Sequence, residues 1–298
     1  DLHCCPPQTG WDAQQVLDSL KADVNRLREE QGLTPDLVFF TGDAGFGQLG
    51  EKGLSLSAQL DEANLFFEEL LGLFEPRVAR ENLFLVPGNH DIDRTRVREK
   101  ETDWLARRSA AHDEEKVTEL IRQASEDWRD YLRRLETYRA FLENAGYRHL
   151  LTDPDRLVWA QVREIAGLKI GIAGFNSAWS CRGTENEKGQ LWMGGRWQVQ
   201  TLFQQLKQTD LRIALVHHPT NWLGATEDPR VDREIEHHFQ FHLHGHEHQA
   251  WVHREGSHTR IAAGACYDRS DRPNGYNCVR LDFETGRGEV WLRRYDRD

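Results

Sequence analysis

Residues 83–91 read LFLVPGNHD, an apolar run followed at once by a turn that carries polar donors. A short run of Leu, Phe and Val bounded by Pro and Gly predicts a buried strand at 83–86. The carboxyl ends of the strands in an α/β sheet meet at one edge, where ligands usually bind. The side chains of Asn89, His90 and Asp91 are therefore predicted to lie at such an edge.

Four further blocks place imidazole or carboxylate groups along the chain, three of them directly after a predicted strand. With Asn89 they supply enough oxygen and nitrogen donors for two metal ions that share one bridging carboxylate. The candidate metal ligands are Asp1, His3, Asp43, Asn89, His217, His246 and His248.

The order of these blocks resembles that of the calcineurin-like metallophosphoesterase superfamily. The family pattern runs D-x-H, G-D, G-N-H-[DE], H and G-H-x-H, and here it spans residues 1–248. The resemblance implies that Asp43 bridges two divalent ions. One ion would be held by Asp1, His3, Asp43 and His248, and the other by Asp43, Asn89, His217 and His246. Such ligands accept Mn, Fe, Zn or Ni, and we expect manganese to support activity.

The ligand charges predict an electrophilic centre. Asp1 and Asp43 are the only ionised protein ligands, so two dications would retain about two positive charges. Such a centre suits an anionic phosphate ester, and a hydroxide bridging the ions would attack phosphorus. His90 is predicted to act as the general acid, as in the family. Asp91 is predicted to hold the tautomer of His90 and raise its pKa.

Other polar residues near the blocks are candidates for supporting roles. Asn176 either binds substrate or is a polar turn residue, and His218 either binds substrate, supports a ligand or is exposed. His246 and His248 stand two residues apart, so in an extended segment both imidazoles project to one side. Glu247, on the other side, is expected to face solvent or to orient a ligand histidine. His242 and His244 are expected to be buried in a strand, and the candidate phosphate contacts are Arg94, Arg96 and Arg182.

The apolar pattern predicts an α/β fold. Helices are predicted around 16–27, 65–74 and 199–206. Alternation of strand and helix through residue 91 predicts parallel pairs, and the strand-rich last third predicts a second sheet. The resemblance implies a four-layer αββα sandwich of two mixed β-sheets flanked by helices. The predicted strands lie at 37–41, 83–86, 157–162, 168–175, 212–216, 239–243, 260–263, 276–283 and 289–295.

Residues 94–148 are predicted to form a helical insertion after the third block. The segment is charged and, from Glu114 on, carries an apolar stripe at helical spacing. Because it leaves directly after the 88–91 block, it is a candidate cap that limits substrate size. We expect a single metallophosphoesterase domain over residues 1–298. The absence of an initiator Met and of a strand before Asp1 indicates a fragment of a longer chain with further domains.

Composition narrows the choice of substrate and compartment. The net charge of −11, from 38 basic and 49 acidic residues, disfavours nucleic acid and favours a small phosphorylated substrate, such as a nucleotide. No apolar run is long enough for a bilayer and no basic leader precedes one, so a cytoplasmic protein without membrane contact is expected. Five scattered cysteines without C-x-x-C spacing predict reduced thiols, with Cys4 and Cys5 close to the ligand His3.

Three functions stay open on these observations. A phosphodiesterase leads, because His217-His218-Pro219 resembles small-molecule phosphodiesterases more than protein phosphatases. A nuclease of the repair-exonuclease type is the second, and a non-catalytic metal-binding regulatory module is the third. A purely structural zinc site is disfavoured, because such sites are closed tetrahedra rich in Cys.

Overall fold

The structure, a computed structural model, describes residues 1–3, 6–47, 54–184, 186–268 and 273–295. Cys4 and Cys5 lie outside the described residues. Within these ranges the chain forms eight α-helices and ten β-strands. The helices are α1 Pro6–Gln31, α2 Leu56–Gly72, α3 Glu99–Ala110, α4 Glu114–Gln123, α5 Glu126–Leu132, α6 Glu136–Asn144, α7 Gly195–Leu206 and α8 Asp228–His238. The strands are β1 Val38–Phe40, β2 Leu83–Leu85, β3 Trp159–Ile165, β4 Leu168–Gly174, β5 Leu211–Leu215, β6 Phe241–His244, β7 Trp251–Glu255, β8 His258–Ala262, β9 Asn274–Asp282 and β10 Arg287–Tyr295.

A mixed sheet of six strands forms the centre of the fold, in the order β3-β4-β5-β6-β8-β7. Strands β4, β5, β6 and β8 are parallel, whereas β3 and β7 pair antiparallel at the two edges. Ile213, Ala214 and Leu215 in β5 are all buried, as is usual for a parallel strand with both faces covered. Helices α7 and α8 connect the parallel strands, so these strands end at the same edge of the sheet.

Strands β1 and β2 form a separate parallel pair, as the alternation of strand and helix predicted. The pair packs beside β3, because the Phe84 ring lies 5.5 Å from the Trp159 ring and the Trp159 indole donates to the Leu85 carbonyl at 3.1 Å. This contact places the end of β2 near the six-stranded sheet.

The third sheet is an antiparallel hairpin of β9 and β10. Asp23 of α1 accepts hydrogen bonds from Arg293 at 2.7 Å and from the Tyr276 hydroxyl at 2.9 Å, which fixes the hairpin to the helix. The prediction of two mixed sheets is not confirmed. The structure shows one mixed sheet, since β1-β2 is parallel throughout and the partly exposed hairpin is antiparallel throughout.

Helices α3 to α6 occupy the predicted insertion. The stripe that begins at Glu114 is broken where Ala124 takes a left-handed φ of 47° and Ser125 caps the next helix through the Trp128 backbone N–H. A buried ion pair of 2.5 Å between Arg134 and Glu101 joins the first and last parts of the segment. The insertion is thus four short helices packed into the core.

The predicted strands all correspond to strands of the structure, although their ends differ by several residues. The 157–162 strand is observed as Trp159–Ile165, and 239–243 as Phe241–His244. Strand β7 was missed because its residues are mostly polar and exposed, as suits the edge of a sheet. Among the described residues, no helix combines the length and apolar character needed to cross a bilayer.

Candidate metal centre

The predicted ligands converge where the parallel strands end. Asp43 follows β1, Asn89 follows β2, His217 follows β5 and His246 follows β6. His217 Nδ1 lies 3.6 Å from an oxygen of Asp1. Segments far apart in sequence therefore meet at one buried place.

The first group is the His217 cluster, formed by Asp43, Asn89, His217 and His246. His217 Nε2 lies 2.9 Å from Asn89 Oδ1, 3.2 Å from His246 Nδ1 and 3.3 Å from Asp43 Oδ2. His217 Nδ1 donates to the Thr41 carbonyl at 2.7 Å, which leaves a lone pair on Nε2. An imidazole lone pair, an amide oxygen and a carboxylate oxygen thus face one another. A cation satisfies all three.

The second group is the His3 cluster, formed by Asp1, His3 and His248. His3 Nε2 lies 3.0 Å from His248 Nε2, which lies 3.8 Å from an oxygen of Asp1. His248 Nδ1 donates to Asp268 at 3.2 Å, so its Nε2 also presents a lone pair. Asp1 Oδ1 and His3 Nδ1 are buried without a hydrogen-bond partner. This donor set also fits a cation.

Asp43 lies between the two clusters. Its oxygens lie within reach of His217 and Asp1 on one side and of His3 and His90 on the other. Burial raises its pKa, but the charges of His217, His90 and His3 outweigh that effect, so the pKa lies well below its ordinary value. The lowered pKa favours the ionised carboxylate, which lies between the two clusters. The buried clusters of His and Asp indicate a dimetal site.

Two glycines of the motifs make room for this arrangement. Gly42 has a φ of 102°, and a Cβ there would lie 2.6 Å from His217 Nδ1. A Cβ on Gly88 would overlap the Asp43 carboxylate. A larger residue at either position would push a ligand out of the cluster.

Four of the candidate ligands have left-handed backbones. The φ angles are 46° at His3, 57° at Asp43, 70° at His246 and 55° at His248. Such residues cost about 1–3 kcal/mol each and collect at functional sites. The prediction of an extended segment at 245–248 is therefore wrong. Because of this turn, the His246 side chain lies in the His217 cluster and the His248 side chain lies in the His3 cluster.

The predicted pairing of His90 with Asp91 is also wrong. His90 Nδ1 donates to the Phe46 carbonyl at 2.5 Å, and this contact sets its tautomer. The Asp91 carboxylate instead accepts backbone N–H groups of Asp43 at 2.9 Å, Gly45 at 3.0 Å and Gly88 at 2.9 Å. Burial, followed by the charge of Asp43, raises the pKa of Asp91 to about 6. Asp91 thus joins the two ligand loops, while the His90 ring lies 4.7 Å from that of His3.

The side chain of Asn176, a candidate for substrate binding, is hydrogen-bonded inside the protein. It is fully buried, its amide donates to the Arg156 carbonyl at 3.1 Å, and its oxygen accepts the backbone N–H groups of Ala178 and Trp179. These contacts satisfy the side chain inside a turn after β4. Of the two alternatives, these contacts favour a polar turn residue.

His218 lies behind His217 and is not exposed. It is 2% exposed, and its Nδ1 lies 2.8 Å from the Ser177 hydroxyl. Its Nε2 lies 3.8 Å from Cys181 Sγ, and its ring is 4.5 Å from that of His246. The contacts favour a supporting role for His218 over direct substrate binding. Burial and nearby histidines hold its pKa well below the ordinary value.

Sequence reasoning missed two residues that hold the ligand histidines. Asp268 orients His248, and no motif surrounds it. Trp222 packs edge-on against His246 at 4.0 Å, and its indole donates to Glu247 at 3.0 Å. Glu247 thus accepts a hydrogen bond from the indole that packs on His246. The expectation for His242 and His244 is confirmed, since both are buried in β6.

The family model described as calcineurin-like phosphoesterase matches residues 1–250. No curated protein matches the chain. A dimetal phosphatase from Danio rerio is 11% identical with a TM-score of 0.46, over 93% of this chain and 86% of its own. A sulfate thiohydrolase from Thermus thermophilus is 13% identical with a TM-score of 0.46, over 94% of this chain and 42% of its own. A protein from Staphylococcus aureus named as a 5'-nucleotidase is 12% identical with a TM-score of 0.28, over 46% of this chain and 28% of its own. The chain thus spans less than half the length of the last two proteins.

Proposed function

The chain belongs to the calcineurin-like phosphoesterase family, and from that premise we propose that it hydrolyses a phosphodiester of a small molecule, such as a nucleotide, at two divalent ions. The observation that carries the proposal is the His217 cluster. The Asn89 amide oxygen and an Asp43 carboxylate oxygen lie 2.9 and 3.3 Å from His217 Nε2. A divalent cation would accept lone pairs from all three groups at once.

The residues of the site have distinct roles in this proposal. When bound, the ions polarise the phosphate oxygens and activate a water for attack on phosphorus. Asp43 would be a ligand of both ions, and with Asp1 and Asp43 as the only ionised ligands the centre would keep a charge of about +2. His90 Nδ1 donates a hydrogen bond to the Phe46 carbonyl. Nε2 of His90 is therefore the atom that donates a proton to the leaving group.

Two features support a small phosphodiester as the substrate. His217-His218-Pro219 is similar to the sequence of small-molecule phosphodiesterases, and the net charge of −11 disfavours a long phosphate polymer. We propose manganese as the metal that supports the highest activity, with Fe, Zn and Ni as the other candidates.

Metal analysis followed by hydrolysis assays tests the function. Protein loaded with each metal is given a synthetic phosphodiester, the matching monoester, cyclic nucleotides and single-stranded DNA. We expect two ions per chain and faster turnover of the diester. Faster turnover of the monoester discards the phosphodiesterase assignment. Cleavage of DNA supports the nuclease alternative, and two bound ions without any turnover support a regulatory module.

His90→Ala tests the proposed general acid. We expect it to retain both ions and to lose turnover by roughly 10² or more, the usual contribution of a general acid. His253→Ala, an exposed histidine of β7, is the matched control and is expected to be fully active. Full activity of His90→Ala would remove His90 from the mechanism.

A further inference from the structure

Arg94 is a half-buried arginine whose guanidinium has no partner among the described residues. No carboxylate of the described chain lies within ion-pair distance of it, and its Nε is buried without a hydrogen bond. A guanidinium removed from water without an acceptor is unfavourable. An arginine in this state is suited to an anion that the protein alone does not supply.

Neighbouring arginines have acidic partners, so the lack of such a partner is particular to Arg94. Arg96 pairs with Asp93 and Glu136, and Arg98 pairs with Asp130 at 3.2 Å. Acidic residues outnumber basic ones by 49 to 38, so carboxylates are plentiful in this chain. Arg94 nevertheless has no acidic partner among the described residues.

The position of Arg94 is beside the proposed general acid. A Cβ built on Gly47 would lie 3.7 Å from Arg94 Nη2 and 3.4 Å from His90 Nδ1, so both groups adjoin one point. The stem of Arg94 crosses Gly183, where a Cβ would lie 2.6 Å from Arg94 Cγ, Cδ and Nε. Both glycines have left-handed φ angles, 100° and 73°. They leave space for the Arg94 side chain beside His90, on the Nδ1 edge of its ring.

We propose that Arg94 binds a non-bridging oxygen of the substrate phosphate on the His90 side of the metal centre. The planar fork of a guanidinium matches the oxygens of a phosphate. Its charge adds to that of the ions and places the leaving group next to His90. The inference rests on the proposed function, since it assigns a phosphate ligand to the same site.

Phosphate binding to the manganese-loaded protein tests the proposal without turnover. Inorganic phosphate is titrated calorimetrically into the wild type, Arg94→Ala and Arg94→Lys. We expect Arg94→Ala to weaken phosphate binding by roughly 10- to 100-fold, the scale of a hydrogen bond to a charged group. Arg94→Lys is expected to fall in between, because lysine keeps the charge and loses the fork. Arg107→Ala, which removes an exposed arginine of α3, is expected to match the wild type.

The outcomes separate this proposal from the proposed function. Equal phosphate affinity of Arg94→Ala and the wild type overturns the role of Arg94, as does a wild type that binds no phosphate at millimolar concentration. Loss of bound manganese or of thermal stability in both Arg94 variants makes the residue structural and also overturns it. A wild type that binds phosphate through Arg94 but hydrolyses no ester overturns the proposed function alone.

Discussion

The two halves of the metal centre hold similar ligands on different supports. The His217 cluster lies where β1, β2, β5 and β6 end, and the His217 side chain is fully buried and locked to the Thr41 carbonyl. The His3 cluster is built from residues 1–3 and the 245–248 turn, and the His248 side chain is 21% exposed. A ligand on a sheet edge is better preorganised than one on turns. We therefore expect the His217 cluster to bind its ion more tightly.

Asp43→Asn is expected to have the largest effect, because the two clusters share the Asp43 carboxylate. The variant keeps an oxygen but loses the negative charge that both ions use. We expect weaker binding of both ions and a loss of turnover beyond the roughly 100-fold typical of a supporting residue. Metal content and diester hydrolysis measure this, with Asp103→Asn on the exposed face of α3 as the control. A variant that still binds both ions with normal affinity would show that Asp43 does not bridge.

Stepwise removal of metal with a chelator compares the halves directly. We expect one ion to leave first and the dissociation constants to differ by roughly 10-fold or more, the scale of one orienting contact. His3→Ala should abolish the weaker binding step in calorimetry, and His217→Ala the tighter one. Two equal steps, or the reverse assignment, would contradict the comparison.

Asp268→Asn should affect the His3 cluster alone. The carboxylate accepts the Nδ1 proton of His248, so its loss frees the imidazole to turn and lowers its basicity. We expect the weaker ion to bind roughly 10- to 100-fold less tightly, with the tighter ion unchanged. Calorimetric titration checks both steps, and Glu284→Gln on the exposed hairpin controls for the lost charge. An equal change in both binding steps would mean that the two clusters are coupled through the turn that carries His246 and His248.

Local motifs predicted that the candidate ligands converge, because most of them come directly after a strand. Asp43, Asn89 and His217 each follow a strand closely, so strand order was enough to bring them together. Spacing alone gave wrong partners for Asp91, which bonds to backbone groups of two loops and not to the histidine next to it.

Contacts made between distant loops could not be predicted from the chain. Asp268 reaches His248 across 20 residues, and Trp222 reaches Glu247 across 25, without any fixed spacing. The pairing of strands into sheets could not be predicted either, because alternation of apolar residues does not specify which strands pair.

Trp222→Phe is expected to have the smallest effect. This effect should concern the His217 cluster and not the His3 cluster. Phenylalanine keeps an aromatic ring against His246 but loses the N–H that donates to Glu247. His246 is also held by its backbone, whose N–H donates to Asp1 at 3.1 Å, so the imidazole keeps most of its support. We expect the tighter ion to bind less than roughly 10-fold more weakly, below the usual range for an orienting contact to a ligand. Calorimetry of Trp222→Phe beside Asp268→Asn makes the comparison, and Trp104→Phe in α3 is the control for loss of an indole. If Trp222→Phe weakened its ion as much as Asp268→Asn weakens the other, the sheet edge would give no advantage over the turns.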